Sequence, residues 1–368
     1  MTILTINLSL SIFLVILLPL LNRRMFLKNL GGRRLALCCI AIMIRALIPL
    51  EFSFSKTIRV SKGLPFIRDL LKYPFTIGIF SVKVTWLLLF LWIFVALILI
   101  SRKLLLYFRL QNTIRQLPEC REEMIAEIMR NLHDKYPSAK HIKVVRTNFH
   151  ISPLAAGIKN PTILLPACQF SKTEYQMILE HEFLHCIRHD VFVKFAADIL
   201  CSVYWWNFLF YLLKRRIFEL IELGNDRQLT ASFSTEEKTA YMQCLFNTAK
   251  NICNDPIPFT LSFNTHEGKA LDRRIHLIGE FQPIRSVKEM IILASLLSLL
   301  WGSTSFTLEP YAMPKITPCI NFNKDNSYIV QCGDIYEIYY QNELYFTLES
   351  IEYLNPDIPV YQKRRELK

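Results

Sequence analysis

Four long apolar segments punctuate the chain: Ile3–Leu21, Leu35–Leu50, Thr85–Ile100 (extending toward Tyr107) and Met290–Phe306. Each approaches the ~20 residues needed to cross the hydrocarbon of a bilayer, so the pattern predicts four transmembrane helices, three before and one after a long intervening region. The second carries Arg45, and a charge inside a span either snorkels or faces the bundle interior. Within the intervening region, Leu117–Tyr136 has a helical repeat that starts after Pro118. His141–Thr147, Asn148–Leu154 and Thr162–Leu165 read as three short strands separated by Ser-Pro and Gly-Ile-Lys-Asn-Pro turns. The text is helical again from Ser171, which stands three places before Glu174 in the spacing of a capping box. Ile217–Leu229 is a second amphipathic helix. A small sheet followed by helices predicts an α+β membrane protein.

Ile199–Leu213 complicates the count. It is apolar but short for a span, with Asn207 inside and Lys214-Arg215-Arg216 after it, and reads as one interfacial or re-entrant helix instead of a full crossing. The expected organisation is a three-span membrane domain (1–107), a cytoplasmic domain (108–287, with 199–213 interfacial or re-entrant), a fourth transmembrane helix (288–306) and a short extracytoplasmic tail (307–368).

Charge orients these spans. Arg23, Arg24, Lys28, Arg33 and Arg34 follow the first segment, and no basic residue precedes it. A cleavable signal peptide has the reverse order, and positive loops stay inside. The first loop is therefore expected in the cytoplasm, as is the long region bounded by Arg102, Lys103, Arg285 and Lys288, with both termini extracytoplasmic. The 368 residues are 52% hydrophobic with a net charge of +12. That charge clusters beside the apolar segments without any recognition motif for nucleic acid, so direct nucleic-acid binding is not expected. Ten cysteines without a CxxC pair exclude a cysteine zinc site. Cys319 and Cys332 lie in the tail, where an oxidising exterior would permit a disulfide.

Chemistry concentrates in one stretch, ILEHEFLHCIRHD, from Ile178 to Asp190. His181, Glu182 and His185 form an HExxH. On a helix of 3.6 residues per turn, positions four apart share a face, so both imidazoles can reach one ion. Glu182 projects beside that ion, where it can take a proton from a zinc-bound water and return it to a leaving amine. Zinc needs a third protein ligand, and Glu222 in the helix Ile217–Leu229 supplies it; Glu219, one turn earlier, is a rival. Asp226, one turn after Glu222, can accept the free ring N–H of a ligand histidine. Asp190 returns to the same side of the helix and either bonds a ligand histidine or braces a neighbouring helix. His189, beside Arg188, reads as solvated.

The segment before that helix makes the pattern specific. Ser152-Pro153, Gly157, Pro161, Ile163 and Pro166 precede HExxH, Asp190 follows it, and Trp205-Trp206-Asn207, Glu222 and Asp226 come next. In this series the chain resembles the BlaR/MecR-type antirepressor membrane metallopeptidases. Leu271-Asp272-Arg273-Arg274-Ile275 is similar to their Arg-Arg-Ile element. Asn225 stands where the family has Cys, and Gly224 where it has Ala; neither is a required ligand, so the departure is expected to touch local packing more than the metal site. The resemblance implies a gluzincin-like zinc metalloprotease domain in the cytoplasm of a bacterial plasma-membrane protein. It implies Zn2+ on His181, His185 and Glu222, with Glu182 as the catalytic base. It also makes Thr162, Ile163, Leu164 and Leu165 the sheet edge that aligns a substrate strand, a buried core strand being the alternative for the same residues.

The implied partners are a protein or peptide substrate, in particular a cytoplasmic transcriptional repressor or the protein itself, and the lipid bilayer; a homodimer is one possible assembly. β-Lactam sensors in the family carry an acylatable Ser-x-x-Lys outside. The tail has none, and Ser53–Lys56 is a chance match in a short loop, so penicillin sensing is not expected. A housekeeping membrane protease of the HtpX type and a non-catalytic receptor with the same fold are the competing readings.

Overall fold

The computed structural model describes residues 2–21, 23, 27, 32–47, 56–60, 62–77, 80–137, 139, 142–147, 152–252, 267–281, 286–304, 306–310, 322–332, 335–348, 351 and 358–362. Two compact units are present, Met1–Tyr311 and Ala312–Lys368.

The first unit begins with α1 (Thr2–Leu21), α2 (Gly32–Leu47), β1 (Lys56–Val60), α3 (Leu64–Lys72), the hairpin β2 (Pro74–Ile77) and β3 (Phe80–Lys83), and the long α4 (Val84–Gln116). Then come α5 (Glu123–Lys135), β4 (Lys143–Arg146), β5 (Leu154–Ala156), β6 (Thr162–Leu165), α6 (Lys172–Ile187), α7 (Asp190–Val203) and α8 (Phe208–Leu229). A short 3-10 turn leads to α9 (Thr235–Ile252), α10 (Glu267–Glu280), α11 (Ser286–Thr304) and β7 (Phe306–Pro310), which pairs in parallel with β1. The second unit is a four-stranded sheet of β8 (Ser327–Cys332), β9 (Ile335–Tyr340), β10 (Glu343–Leu348) and β11 (Val360–Tyr361), in the order β10-β9-β8-β11. Cys319 lies outside the described residues, so its expected pairing with Cys332 does too.

The architecture is α+β with small sheets. The four apolar segments fall on α1, α2, α4 and α11. Among the residues described with their side chains, α4 is the helix long and apolar enough to cross a membrane. Almost none of its apolar stretch is covered by protein: Trp86, Phe90, Phe94 and Leu97 are all exposed. Continuous apolar surface of that extent requires an apolar partner. Beyond it the same helix turns polar and packs, with Lys103 Nζ 3.0 Å from Asp198 of α7 and Ile114 buried against Val145, Ala156 and Leu164 of the three-stranded sheet.

Three local expectations are corrected. The helix placed after Pro118 starts only at Glu123. Cys120 N–H bonds to Val144 O and Glu119 bridges Val145, so the sheet claims those residues first. The second strand is Leu154–Ala156 instead of Asn148–Leu154, of which 148–151 lie outside the described residues. Ile199–Leu213 is not one helix: it breaks at Tyr204–Asn207 into the end of α7 and the start of α8. Asn207 causes the break, its side chain capping α8 at Leu209 N–H while its amide donates to Ser11 Oγ in the middle of α1. Trp206 and Phe208 at this hairpin tip are exposed.

Two apolar cores flank the site. One joins α1, α2, α7 and most of α8, through residues such as Leu14, Met43, Phe210 and Ile217. The other joins α5, the sheet, α6 and α9, through Ile128, Ile163, Phe183 and Cys244. The α6 helix is buried nearly all round, which fixes its position. Its start is set by the capping box: Ser171 Oγ accepts from Glu174 N–H, and Glu174 Oε2 accepts from Ser171 N–H at 2.9 Å. The backbone N–H of Ser171 holds the Glu174 carboxyl below its usual pKa.

Within the first of these cores, α2 and α8 touch backbone to backbone. A Cβ on Gly32 would lie 2.2 Å from Leu220 O, and one on Gly224 would lie 3.0 Å from Arg33 N. Overpacking of this kind costs ~1–3 kcal/mol. Gly32→Ala is expected to lower unfolding stability by about that amount and Gly224→Ala by less, as thermal unfolding of the solubilised protein will show.

Candidate metal centre

The HExxH falls in the last two turns of α6, where His181, Glu182 and His185 are all buried. Their ligand atoms lie within 4.8 Å of one another. Glu222, projecting from α8, closes the group: one carboxylate oxygen is 3.3 Å from His181 Nε2 and the other 3.4 Å from His185 Nε2. The far sides of both rings are also occupied. His185 Nδ1 lies 2.9 Å from Asp190 Oδ2 at the start of α7. His181 Nδ1 lies 3.0 Å from the hydroxyl of Tyr241 on α9, which donates to Asp226 Oδ1 at 2.7 Å.

These contacts fix the tautomers. With each Nδ1–H given to its acceptor behind the ring, the Nε2 lone pairs converge on the Glu222 carboxylate. Lone pairs and an anion in contact require a positive charge between them. Protons on both Nε2 atoms or a single divalent cation meet that demand, and two imidazoles with one carboxylate are ligands suited to zinc. The donor set therefore fits the metal that the sequence implies.

Asp226 lies 3.4 Å from His181 Nδ1, with Tyr241 bridging the pair, and is fully buried against a bidentate guanidinium from Arg274 on α10 (2.7 and 2.8 Å). Arg274 also approaches Glu222 Oε2 at 3.2 Å, and Lys194 of α7 donates to Glu222 Oε1 at 2.8 Å. Burial would raise the Glu222 pKa, but Lys194, His185 and Arg274 together hold it well below the usual carboxylate range. Burial and the Lys194 charge would lower the His185 pKa; the Glu222 charge, aided by hydrogen bonds that the ring donates to Asp190 and Glu222, carries it up to about 9.

Several expectations sort out here. Glu219 does not face the histidines; it pairs with Arg216 and, at 3.1 Å, with Arg273. His189 is exposed in a left-handed turn (φ 55°) between α6 and α7, a conformation in which histidine is enriched. Asn225 reaches further into the site than the motif suggested: its amide donates to Asp190 Oδ2 at 2.8 Å and lies 2.9 Å from His185 Nδ1, while its oxygen accepts from Arg188 at 2.6 Å. Thr162–Leu165 is not a sheet edge. It is the central strand, paired with β4 on one side and β5 on the other and buried throughout, because four consecutive apolar-facing residues seek cover on both faces. The edge strand beside the site is β5, where Ala155 N–H donates to Glu182 Oε2 at 2.7 Å.

Sequence reasoning missed Tyr241 and Lys194. Nothing local marks Tyr241. Lys194 stands one helical turn after Asp190, a spacing that places it on the same face. Arg274 belonged to the Arg-Arg-Ile element, with no role attached.

Buried paired histidines with an adjacent glutamate and a carboxylate from a second helix, beside a helix long and apolar enough to cross a membrane, define the class of a membrane-associated metallopeptidase. The BlaR1 peptidase M56 family model matches residues 3–278, and the chain belongs to that family. It is similar to the regulatory protein BlaR1 of Bacillus licheniformis, with 26% identity over 187 residues, 48% of this chain. The match spans only 30% of that relative's length.

Two outcomes follow from the site. A zinc ligand must surrender its proton, so with a His185 pKa of about 9 metal affinity should rise about tenfold per pH unit on going up toward 9 and then level off, as chelator competition will show. Tyr241→Phe cuts the relay from His181 to Asp226 and should weaken zinc binding by about 10–100-fold in the same assay.

Proposed function

We propose that the chain is a zinc-dependent, membrane-embedded endopeptidase that hydrolyses peptide bonds of a cytoplasmic protein. The single observation that carries this reading is the Glu222 carboxylate, set against the Nε2 atoms of His181 and His185 at 3.3 and 3.4 Å. His181, His185 and Glu222 would hold Zn2+, which when bound would supply Lewis acidity to a water and to the scissile carbonyl. Glu182 takes the proton from the attacking water and delivers it to the leaving amine. Asp190, with Asn225 behind it, orients His185, and Asp226 orients His181 through Tyr241. An extended substrate pairs with the free side of β5, where the Ala155 N–H faces Glu182.

In this reading α1, α2, α4 and α11 are four spans in the bacterial plasma membrane, both termini lie outside, and the centre works on the cytoplasmic side. The substrate is a transcriptional repressor, the protein itself, or both, and cleavage is governed by a signal received outside. The likeness to a regulatory protein supports this role.

Glu182→Gln preserves size and the contact with Ala155 but abolishes proton transfer. Cleavage of cellular proteins, compared by mass spectrometry in cells making wild type or variant, should fall by about 10²–10⁴-fold while zinc content stays at the wild-type value. Cleavage that persists in the variant removes Glu182 from the reaction.

A further inference from the structure

Peptide hydrolysis builds negative charge on the carbonyl oxygen. An enzyme meets that charge with donors already fixed in place, and one such donor commonly contributes a rate factor of about 10²–10³. Three cationic side chains and one hydroxyl surround the carboxylates of this centre, and most are fully committed. Arg274 spends its guanidinium on Asp226 and Glu222. Arg188 donates to Asn225 and to Gly224 O, behind His185. Tyr241 is buried behind His181 and gives its hydrogen to Asp226.

Lys194 differs. Its ammonium has three donors, and one is on Glu222 Oε1 at 2.8 Å. The side chain is partly buried, 29% exposed, so it is not sealed in the core as Tyr241 is. Glu182 and Asp190 also lie within electrostatic reach of the same ammonium. Its position is held at both ends. Asp190, one turn earlier on α7, is anchored on His185. The ring of Phe218, one turn before Glu222 on α8, lies 5.9 Å from Nζ, within cation–π distance.

We infer that Lys194 is a further catalytic residue, the N–H donor that receives the oxyanion of the scissile peptide. This role rests on the metallopeptidase reading above. As the water oxygen bonds to the carbonyl carbon, the π pair of the C=O moves onto oxygen and the water proton passes to Glu182. The ammonium donates to that oxygen without losing its own proton. When the C–N bond breaks, the pair on oxygen restores the carbonyl, the nitrogen keeps the bonding pair, and Glu182 gives it the proton.

The test uses the full-length, zinc-loaded protein in detergent with three forms, wild type, Lys194→Met and Lys194→Arg, a fluorogenic casein substrate, and a phosphinic peptide as a mimic of the tetrahedral state. Lys194→Met should lower kcat by about 10²–10³-fold with KM changed less than about threefold, and weaken the phosphinic peptide by a similar factor. Zinc stoichiometry at saturating zinc should stay near wild type, and Lys194→Arg should recover part of kcat. Wild-type kcat and phosphinic peptide affinity in Lys194→Met would overturn the role. So would a loss of activity that merely tracks a loss of zinc, since Lys194 would then be a support for Glu222. A wild type that neither binds zinc nor cleaves casein overturns the metallopeptidase reading itself, and this role falls with it.

Discussion

Everything at this centre depends on one carboxylate having to be neutralised several times over. Glu222 is set among two imidazole nitrogens, an ammonium and a guanidinium. Charges taken out of water persist only when paired, and here the pairing is distributed over helices that the chain order keeps far apart. Asp226 and Asp190 repeat the logic one layer back, each bracketed by a cation or an amide and a histidine or its relay. Such a network is stable as a whole and costly to open at any single point. It gives the two apolar cores a shared, polar seam whose geometry follows from how α6, α7 and α8 pack.

The legible part of this site was local. The HExxH spacing, the Ser171 capping box and the acid pair Glu222 and Asp226 each depend on helical periodicity over one or two turns, and periodicity is what a sequence displays best. Thr162–Leu165 was legible as a strand but not as a central one, because the choice between edge and centre is made by β4 and β5. Tyr241 lies 60 positions from His181 and Arg274 lies 48 from Asp226; only the packing of α9 and α10 brings them in. The break at Asn207 was misread for a related reason. An apolar run of that length looks continuous until one polar residue caps a helix and finds a partner on another.

Family membership also sets a scale. The match to BlaR1 covers 30% of that protein, while the family model covers residues 3–278 and with them every residue of the centre. Asn225 ties the centre together from behind, its amide holding Asp190, His185 and Arg188 in one hydrogen-bonded set.

The glycine contact between α2 and α8 has a consequence for how the molecule can be divided. Gly224 lies between Glu222 and Asp226, and there the main chain of an amino-terminal helix rests directly on the main chain that carries both acids. No flexible side chain lies between them to absorb a displacement. The amino-terminal helix α2 is therefore part of the support beneath Glu222 and Asp226, and a fragment beginning after it would lose that backing.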